Sequence, residues 1–165
     1  MNSLALSLIS AILIGIGATL TTDLLALILK RTFKIAAPNY CLVGRWLRTM
    51  PEGTFWHSSI ASAPQKSAEC IVGWIAHYMI GITFAIAFLV LACNDWLQHP
   101  KLIPAIVFGV VTVLMPFFIM QPAFGFGVAA SKTPNPMQAR LRSLMNHTSF
   151  GVGLYLFGLL VNWLL

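Results

Sequence analysis

Four polar side chains interrupt long apolar stretches of this sequence. Asp23, His77 and His147 each lie near one end of such a stretch, and Gln121 ends another. Because a bilayer disfavours ionisable groups, those found inside it usually face a cavity or a partner and mark a functional site. These four residues are therefore the candidate intramembrane polar site.

The residue types of this set allow three kinds of chemistry. A carboxylate and two imidazoles can relay protons, since histidine titrates near neutral pH. Asp23, His77 and His147 also offer one oxygen and two nitrogens to a divalent metal ion. The two histidines could instead ligate a haem iron axially. A structural alternative stays open, because a membrane-buried histidine can simply hydrogen-bond to a neighbouring helix. The sequence requires no cofactor.

Helix geometry allows the ionisable residues to share one depth in the membrane. The offsets from Asp23, His77 and His147 to the nearest charged flank are seven, eight and five positions. At a helical rise of 1.5 Å per residue, all three lie roughly 8–12 Å from the same membrane face. One polar site with groups from all four spans is therefore geometrically allowed.

Composition assigns the chain to a membrane. Of its 165 residues, 58% are hydrophobic and 8% are charged, whereas soluble domains carry about 25% charged residues. Four stretches reach the roughly 17–25 residues that a spanning helix needs, at 4–29, 70–93, 102–120 and 143–165. Backbone groups in lipid need internal partners, so each span must be helical. We expect an all-α fold with one four-span domain over residues 1–165.

The basic residues predict the orientation of these spans. Nine of the ten Lys and Arg residues lie in the loops 30–69 and 121–142. The positive-inside rule then places both loops in the cytoplasm and both termini in the periplasm. The net charge of +6 reflects these loops, and nucleic acid is not an expected partner. Cys41, Cys70 and Cys93 are expected to be unpaired thiols, because cytoplasmic thiols stay reduced and Cys93 falls at the opposite face.

The first loop contains a short amphipathic helix near residues 40–50, which we expect to lie in the membrane interface. Cationic side chains there and in the other basic loop could bind anionic phospholipid headgroups. The candidates for such contacts are Arg45, Arg48, His57, Arg140 and Arg142.

Small residues recur every four positions in the first two spans, which predicts close helix packing on those faces. The first stripe ends on Asp23 and the second contains His77. Both His77 and His147 stand four residues before a glycine, so the chain could be two hairpins arranged as parallel repeats. With so few helices enclosing little volume, a homo-oligomer is expected.

Proline and glycine interrupt the third span and the segment after it. Pro116 should kink or end the regular helix. Segment 116–135 is either re-entrant or an irregular cytoplasmic loop. Asn135 followed by Pro136 predicts the start of the last helix.

The chain resembles an uncharacterised family of bacterial four-helix inner-membrane proteins, a domain of unknown function. The resemblance implies a multi-pass protein of the bacterial inner membrane and no particular activity. The motifs that carry it are Thr22-Asp23-Leu24, Asn39-Tyr40, Gly44-Arg45-Trp46, Gly73-Trp74, Ala76-His77-Tyr78, Pro116-Phe117-Phe118, Met120-Gln121-Pro122, Ser131-Lys132-Thr133-Pro134-Asn135-Pro136 and Arg140-Leu141-Arg142-Ser143.

Three functional hypotheses follow. The first is a small transport or permeation protein that binds a proton, ion or small solute at the polar site. The second is a metal- or haem-binding membrane protein, and the third is a lipid-interacting scaffold. No nucleophile-elbow, phosphate-loop or zinc-protease motif favours an enzyme.

Overall fold

Apolar composition and internal hydrogen bonding give this chain a wholly helical architecture across the part that is described. The computed structural model describes residues 3–92 and 95–164, so Cys93 lies outside the described residues. The α-helices are α1 (Ser3–Phe33), α2 (Tyr40–Thr49), α3 (Glu69–Leu91), α4 (Asp95–Gln98), α5 (Leu102–Val111), α6 (Gln121–Ala123) and α7 (Pro136–Leu164). Short 3₁₀ turns cover Met50–Glu52 and Val128–Ala130, and a π-helix covers Pro116–Met120.

Four helical segments are long and apolar enough to cross a bilayer, which confirms the predicted all-α, four-span membrane fold. They are Ala5–Phe33, Glu69–Leu91, Leu102–Ala123 and Pro136–Leu164. Many of their large apolar side chains are exposed, as expected where lipid replaces water around the protein. The protein is therefore a multi-pass membrane protein.

The chain divides into two compact units. The first contains Met1–Ala37, Tyr78–Val111 and Asn146–Leu165, and the second contains Pro38–His77 and Thr112–Met145. The first unit is a set of packed apolar helices. The second combines α2, the ends of two long helices and the two basic loops.

In the first unit, the predicted small-residue stripes bring α1 and α3 close together. Gly15 of α1 lies against the backbone of Gly81 and Ile82, and Gly81 lies against the side chain of Thr19. Ala85, one turn further along α3, is fully buried. The prediction that these faces pack against protein is confirmed.

The same unit buries an aromatic core at the other end of α3. The Phe88 ring meets the Trp96 and Phe108 rings at centroid distances of 4.7 and 5.1 Å, both within the range of favourable aromatic pairs. The Trp96 indole N–H donates to the Lys101 carbonyl oxygen at 2.9 Å. This bond satisfies the polar end of an otherwise buried ring.

In the second unit, α2 crosses the start of α3 with almost no space between the backbones. A Cβ atom on Gly44 would collide with the Glu69 carbonyl, and one on Gly73 would collide with the Tyr40 carbonyl. Both positions therefore require glycine. The tight crossing brings the Cα atoms of Cys41 and Cys70 within 3.9 Å.

Cys41 and Cys70 form a disulfide across this crossing. The expectation that they are unpaired thiols is therefore wrong. That expectation rested on the redox state of the cytoplasm and did not consider the local geometry. The sequence carries a signal for this pairing, since Cys-x-Val-Gly occurs twice, at 41–44 and at 70–73.

A buried ion pair lies beside the disulfide. Arg45 donates from Nε and Nη2 to the two Glu69 carboxylate oxygens at 2.9 and 2.8 Å. Its Nη1 donates to the carbonyl oxygens of Ile60 and Ala63 at 3.0 and 2.9 Å. The hydrogen bond to Glu69 raises the pKa of the Arg45 guanidinium, so this group stays charged at any ordinary pH.

The loop after α2 folds back onto the segment that follows the π-helix. The backbone N–H groups of His57 and Ile60 donate to the carbonyl oxygens of Ala123 and Phe124 at 2.8 and 3.0 Å. Ile60 is fully buried, and it belongs to one hydrophobic cluster with Val43, Ala123 and Phe124. This stretch is thus a packed part of the second unit.

Local signals for the ends of helices are confirmed. The regular helix α5 ends shortly before Pro116, which opens the π-helix. Helix α7 begins at Pro136, and the Asn135 side chain accepts a hydrogen bond from the Gln138 backbone N–H at 3.3 Å. Whether segment 116–135 enters the membrane stays a prediction.

Removing the buried guanidinium should destabilise the protein strongly. Arg45→Met leaves the Glu69 carboxylate buried without its partner, so we expect the free energy of unfolding to fall by about 3–5 kcal/mol. Unfolding in detergent, followed by circular dichroism, measures the change. The control is Arg48→Met on the exposed side of α2, where a change of about 0.5 kcal/mol or less is expected. Equal effects of the two substitutions would contradict a structural role for the pair.

The disulfide can be tested on the purified protein. We expect Cys41 and Cys70 to resist alkylation by maleimide until a reductant is added, which mass spectrometry of the peptides reads directly. Reduction should then lower stability by up to about 3–4 kcal/mol, the value for closing a loop of this length. Labelling of both thiols in protein kept free of reductant would contradict the crosslink.

Candidate functional site

The Asp23 carboxylate meets a tyrosine inside the first unit. The Tyr78 hydroxyl of α3 donates to Asp23 Oδ2 of α1 at 2.9 Å. Both side chains are half-buried. A hydroxyl is the kind of donor that stabilises a carboxylate in a poorly solvated place. The two helices thereby present a carboxylate–phenol pair within their membrane-spanning segments.

Hydroxyl side chains lie near Asp23 in the sequence of α1, and one of them contacts α7. Thr22, the residue before Asp23, is buried and accepts a hydrogen bond from the Ser149 hydroxyl at 3.4 Å. Thr22 and Thr19 donate to the carbonyl oxygens one turn earlier, at 3.2 and 2.8 Å. Their oxygen atoms keep acceptor capacity. α1 therefore carries polar hydroxyl groups at Thr19 and Thr22, close in sequence to Asp23, although the helix is otherwise apolar.

His147 belongs to the same unit as Asp23. It precedes Ser149 by two positions on α7, and its carbonyl oxygen lies against Gly109 of α5. The side chain is half-buried. His147 is thus close in sequence to the serine that contacts α1, and its place in a polar site stays a prediction.

His77 belongs to the second unit, where it stacks on an aromatic ring. Its imidazole lies 3.9 Å from the Tyr40 ring centroid with the planes tilted by 20°. The Trp74 ring lies edge-on to both, with centroids 4.8 Å from Tyr40 and 5.8 Å from His77. This stacking supports a packing role, which was one of the alternatives for a membrane histidine.

Gln121 is buried in the second unit at the end of the π-helix. It is 6% exposed, and its Nε2 donates to the Ser143 hydroxyl at 3.2 Å. Its Oε1 accepts no hydrogen bond from any residue in the described ranges. A π-helix often accompanies a functional position, and a buried amide oxygen normally takes a donor from water or a ligand.

The predicted single site of four residues stays a prediction, because Asp23 and His147 lie in one unit while His77 and Gln121 lie in the other. Among the residues described, no three His, Cys, Asp or Glu side chains are grouped so that they could hold a metal ion. The metal and haem hypotheses accordingly gain no support from the geometry.

The five expected headgroup contacts differ in their surroundings. Arg45 is buried and forms an ion pair with Glu69, so the expectation that it contacts a lipid headgroup is wrong. His57 Nε2 lies 3.1 Å from the Thr49 hydroxyl, and Arg140 donates to the Ala129 carbonyl oxygen at 2.8 Å. Arg48 is exposed and Arg142 is half-buried, so both remain compatible with headgroup contact.

Sequence reasoning missed Tyr78 as a site residue. The signal was present, since Tyr78 follows Glu69 by nine positions, or roughly 13 Å along the helix. That distance is close to the depth deduced for Asp23. The prediction named His77, the adjacent ionisable residue, and left out the Tyr78 hydroxyl at nearly the same depth.

The sequence was compared with known families, curated proteins and solved structures. A family model described as "Protein of unknown function (DUF2938)" matches residues 12–161. The chain belongs to this family. No curated protein and no solved structure matched the chain. Membership in DUF2938 confirms the resemblance to an uncharacterised family, and the match includes every residue of the candidate polar site.

The unpaired amide oxygen of Gln121 gives a testable expectation. If a water or ligand donor binds it, Gln121→Met should lower the free energy of unfolding by about 1–3 kcal/mol, the cost of the hydrogen bonds lost. Thermal unfolding in detergent measures this. Gln138→Met, at an exposed position on α7, is the matched control. Because Gln121 Nε2 also bonds to Ser143, Ser143→Ala measures the loss of that bond alone. A Gln121→Met variant no less stable than Ser143→Ala would show that the amide oxygen binds no donor.

Proposed function

We propose that this DUF2938 protein is a small transport protein that moves protons or a small cation through a polar site centred on Asp23 and Tyr78. The observation that carries the proposal is the 2.9 Å hydrogen bond from the Tyr78 hydroxyl to the Asp23 carboxylate within two membrane-spanning helices. Ionisable residues at such positions are costly and commonly form ion or proton pathways.

The chemistry of the pair suits reversible binding. An ionised carboxylate has two oxygens and about four lone-pair sites, so Asp23 can take a proton or face a cation while it is bonded to Tyr78. The hydroxyl of Thr22, the preceding residue in the sequence, is an uncharged oxygen of the kind that suits hard cations. Exchange of a proton or a cation at Asp23 would change the charge of the site and the strength of its bond to Tyr78.

The remaining parts of the proposal concern the protein's setting. We place it in the bacterial inner membrane, with the two basic loops in the cytoplasm and both termini in the periplasm, as the charge distribution predicts. In this orientation Asp23 lies toward the cytoplasmic side. We also propose a homo-oligomer, because four helices of this length enclose little volume for a pathway.

Proton flux into proteoliposomes tests the proposal. A potassium diffusion potential set with valinomycin drives protons, and an enclosed pH-sensitive dye reports them. We expect Asp23→Asn to reduce flux to the level of protein-free liposomes, because an amide cannot exchange the proton. The fold should persist, since the side-chain carbonyl oxygen of the new amide can still accept the Tyr78 hydrogen bond.

Two further variants test whether the loss of flux is specific to the Asp23 site. Tyr78→Phe should reduce flux without abolishing it, because the carboxylate remains. Glu52→Gln should have no effect, because this exposed carboxylate pairs with Lys66 in the second unit. Replacing protons with sodium or potassium gradients identifies the cation. Unchanged proton, sodium and potassium flux in Asp23→Asn would overturn the proposal.

A further inference from the structure

Three basic residues, Lys30, Arg31 and Lys34, lie at the C-terminal end of α1. A cleft of about 610 Å³ is lined by Leu27, Lys30, Arg31, Lys34 and Ala36. The three basic side chains are exposed, and they take no part in the ion pairs Arg45–Glu69 and Lys66–Glu52. The lining contains no acidic side chain, so the cleft is a concentrated site of positive charge.

The end of α1 holds this charge in place. Lys34 adopts a left-handed backbone conformation with φ of 58°, and the Ile35 N–H donates back to the Leu29 carbonyl oxygen at 3.3 Å. Such caps are typical of helix C-termini. Basic residues also interact favourably with the negative end of the helix dipole.

An apolar track leads directly into the cleft. Leu20, Leu24 and Leu27 are 52%, 55% and 41% exposed. Their spacing of four and three positions continues to Arg31, so these four residues lie on one face of α1, and Lys34 follows the end of the helix. This face is apolar within the spanning segment and basic at its end.

We propose that this face binds one anionic phospholipid, with the phosphate on Lys30, Arg31 and Lys34 and an acyl chain along the three leucines. The charge complementarity selects an anionic headgroup, and the leucine track selects a lipid over a free phosphate ion. This site differs from every headgroup contact expected from the sequence, and it does not depend on transport through Asp23.

Native mass spectrometry of the delipidated protein in detergent tests the site with phosphatidylglycerol and phosphatidylcholine as probes. The triple variant Lys30→Gln, Arg31→Gln, Lys34→Gln should bind phosphatidylglycerol roughly a hundredfold more weakly, from about one kcal/mol per basic residue. The control removes the same charge at three positions elsewhere, Lys66→Gln, Lys101→Gln and Lys132→Gln, none of which is an expected headgroup contact. It should change the affinity less than about threefold, because these positions lie outside the cleft.

Further variants and a competition experiment distinguish binding of the lipid headgroup from binding of its acyl chain. Leu24→Ala with Leu27→Ala should weaken phosphatidylglycerol binding, whereas inorganic phosphate should not compete at equal concentration. Asp23→Asn should bind the lipid normally, which separates this site from the proposed transport. Equal binding of the two lipids, equal loss in the control triple variant, or full competition by phosphate would overturn the proposal.

Discussion

The second unit depends on the burial of one guanidinium. Arg45 points into the protein, where its donors must find acceptors because an unpaired buried charge is strongly unfavourable. The Glu69 carboxylate accepts from Nε and Nη2, and backbone carbonyls of the loop at Ile60, Ala61 and Ala63 accept from Nη1. A single side chain thereby sets the register of α2 on α3 and the path of the loop, and so the packing of Ile60.

Buried polar groups in the first unit also need hydrogen-bond partners, and they find them in a different way. Its serine and threonine hydroxyls donate to carbonyl oxygens four positions earlier on the same helix, as Ser10, Thr19 and Thr22 do. These bonds satisfy polar groups without a partner helix. A carboxylate has no proton to donate when ionised, so Asp23 relies on a donor from α3. This is why Asp23 links two helices, while the hydroxyls beside it largely do not.

Sequence reasoning predicted what local chemistry determines. Pro116 interrupts the third span and Asn135 caps the last helix, because both effects act within one turn. The small-residue stripes also predicted which faces of α1 and α3 pack together. Arg45 was misplaced because its partner Glu69 lies 24 positions away, and only the fold of the intervening loop brings them together. The pairing of Cys41 with Cys70 was missed for a similar reason, although the repeated Cys-x-Val-Gly pattern placed a cysteine and a glycine on each helix at the same spacing.

The disulfide and the charge distribution favour different compartments. Basic loops favour the cytoplasm, whereas stable disulfides are rare there and, when present, are usually transient. The crossing of α2 and α3 does not depend on the disulfide alone, because other contacts also hold the two helices together. Gly44 and Gly73 allow the backbones to touch, and the Arg45–Glu69 pair holds them in register. Reduction of Cys41 and Cys70 would leave these restraints in place, so the helices can stay crossed in a reducing compartment with the two thiols still adjacent.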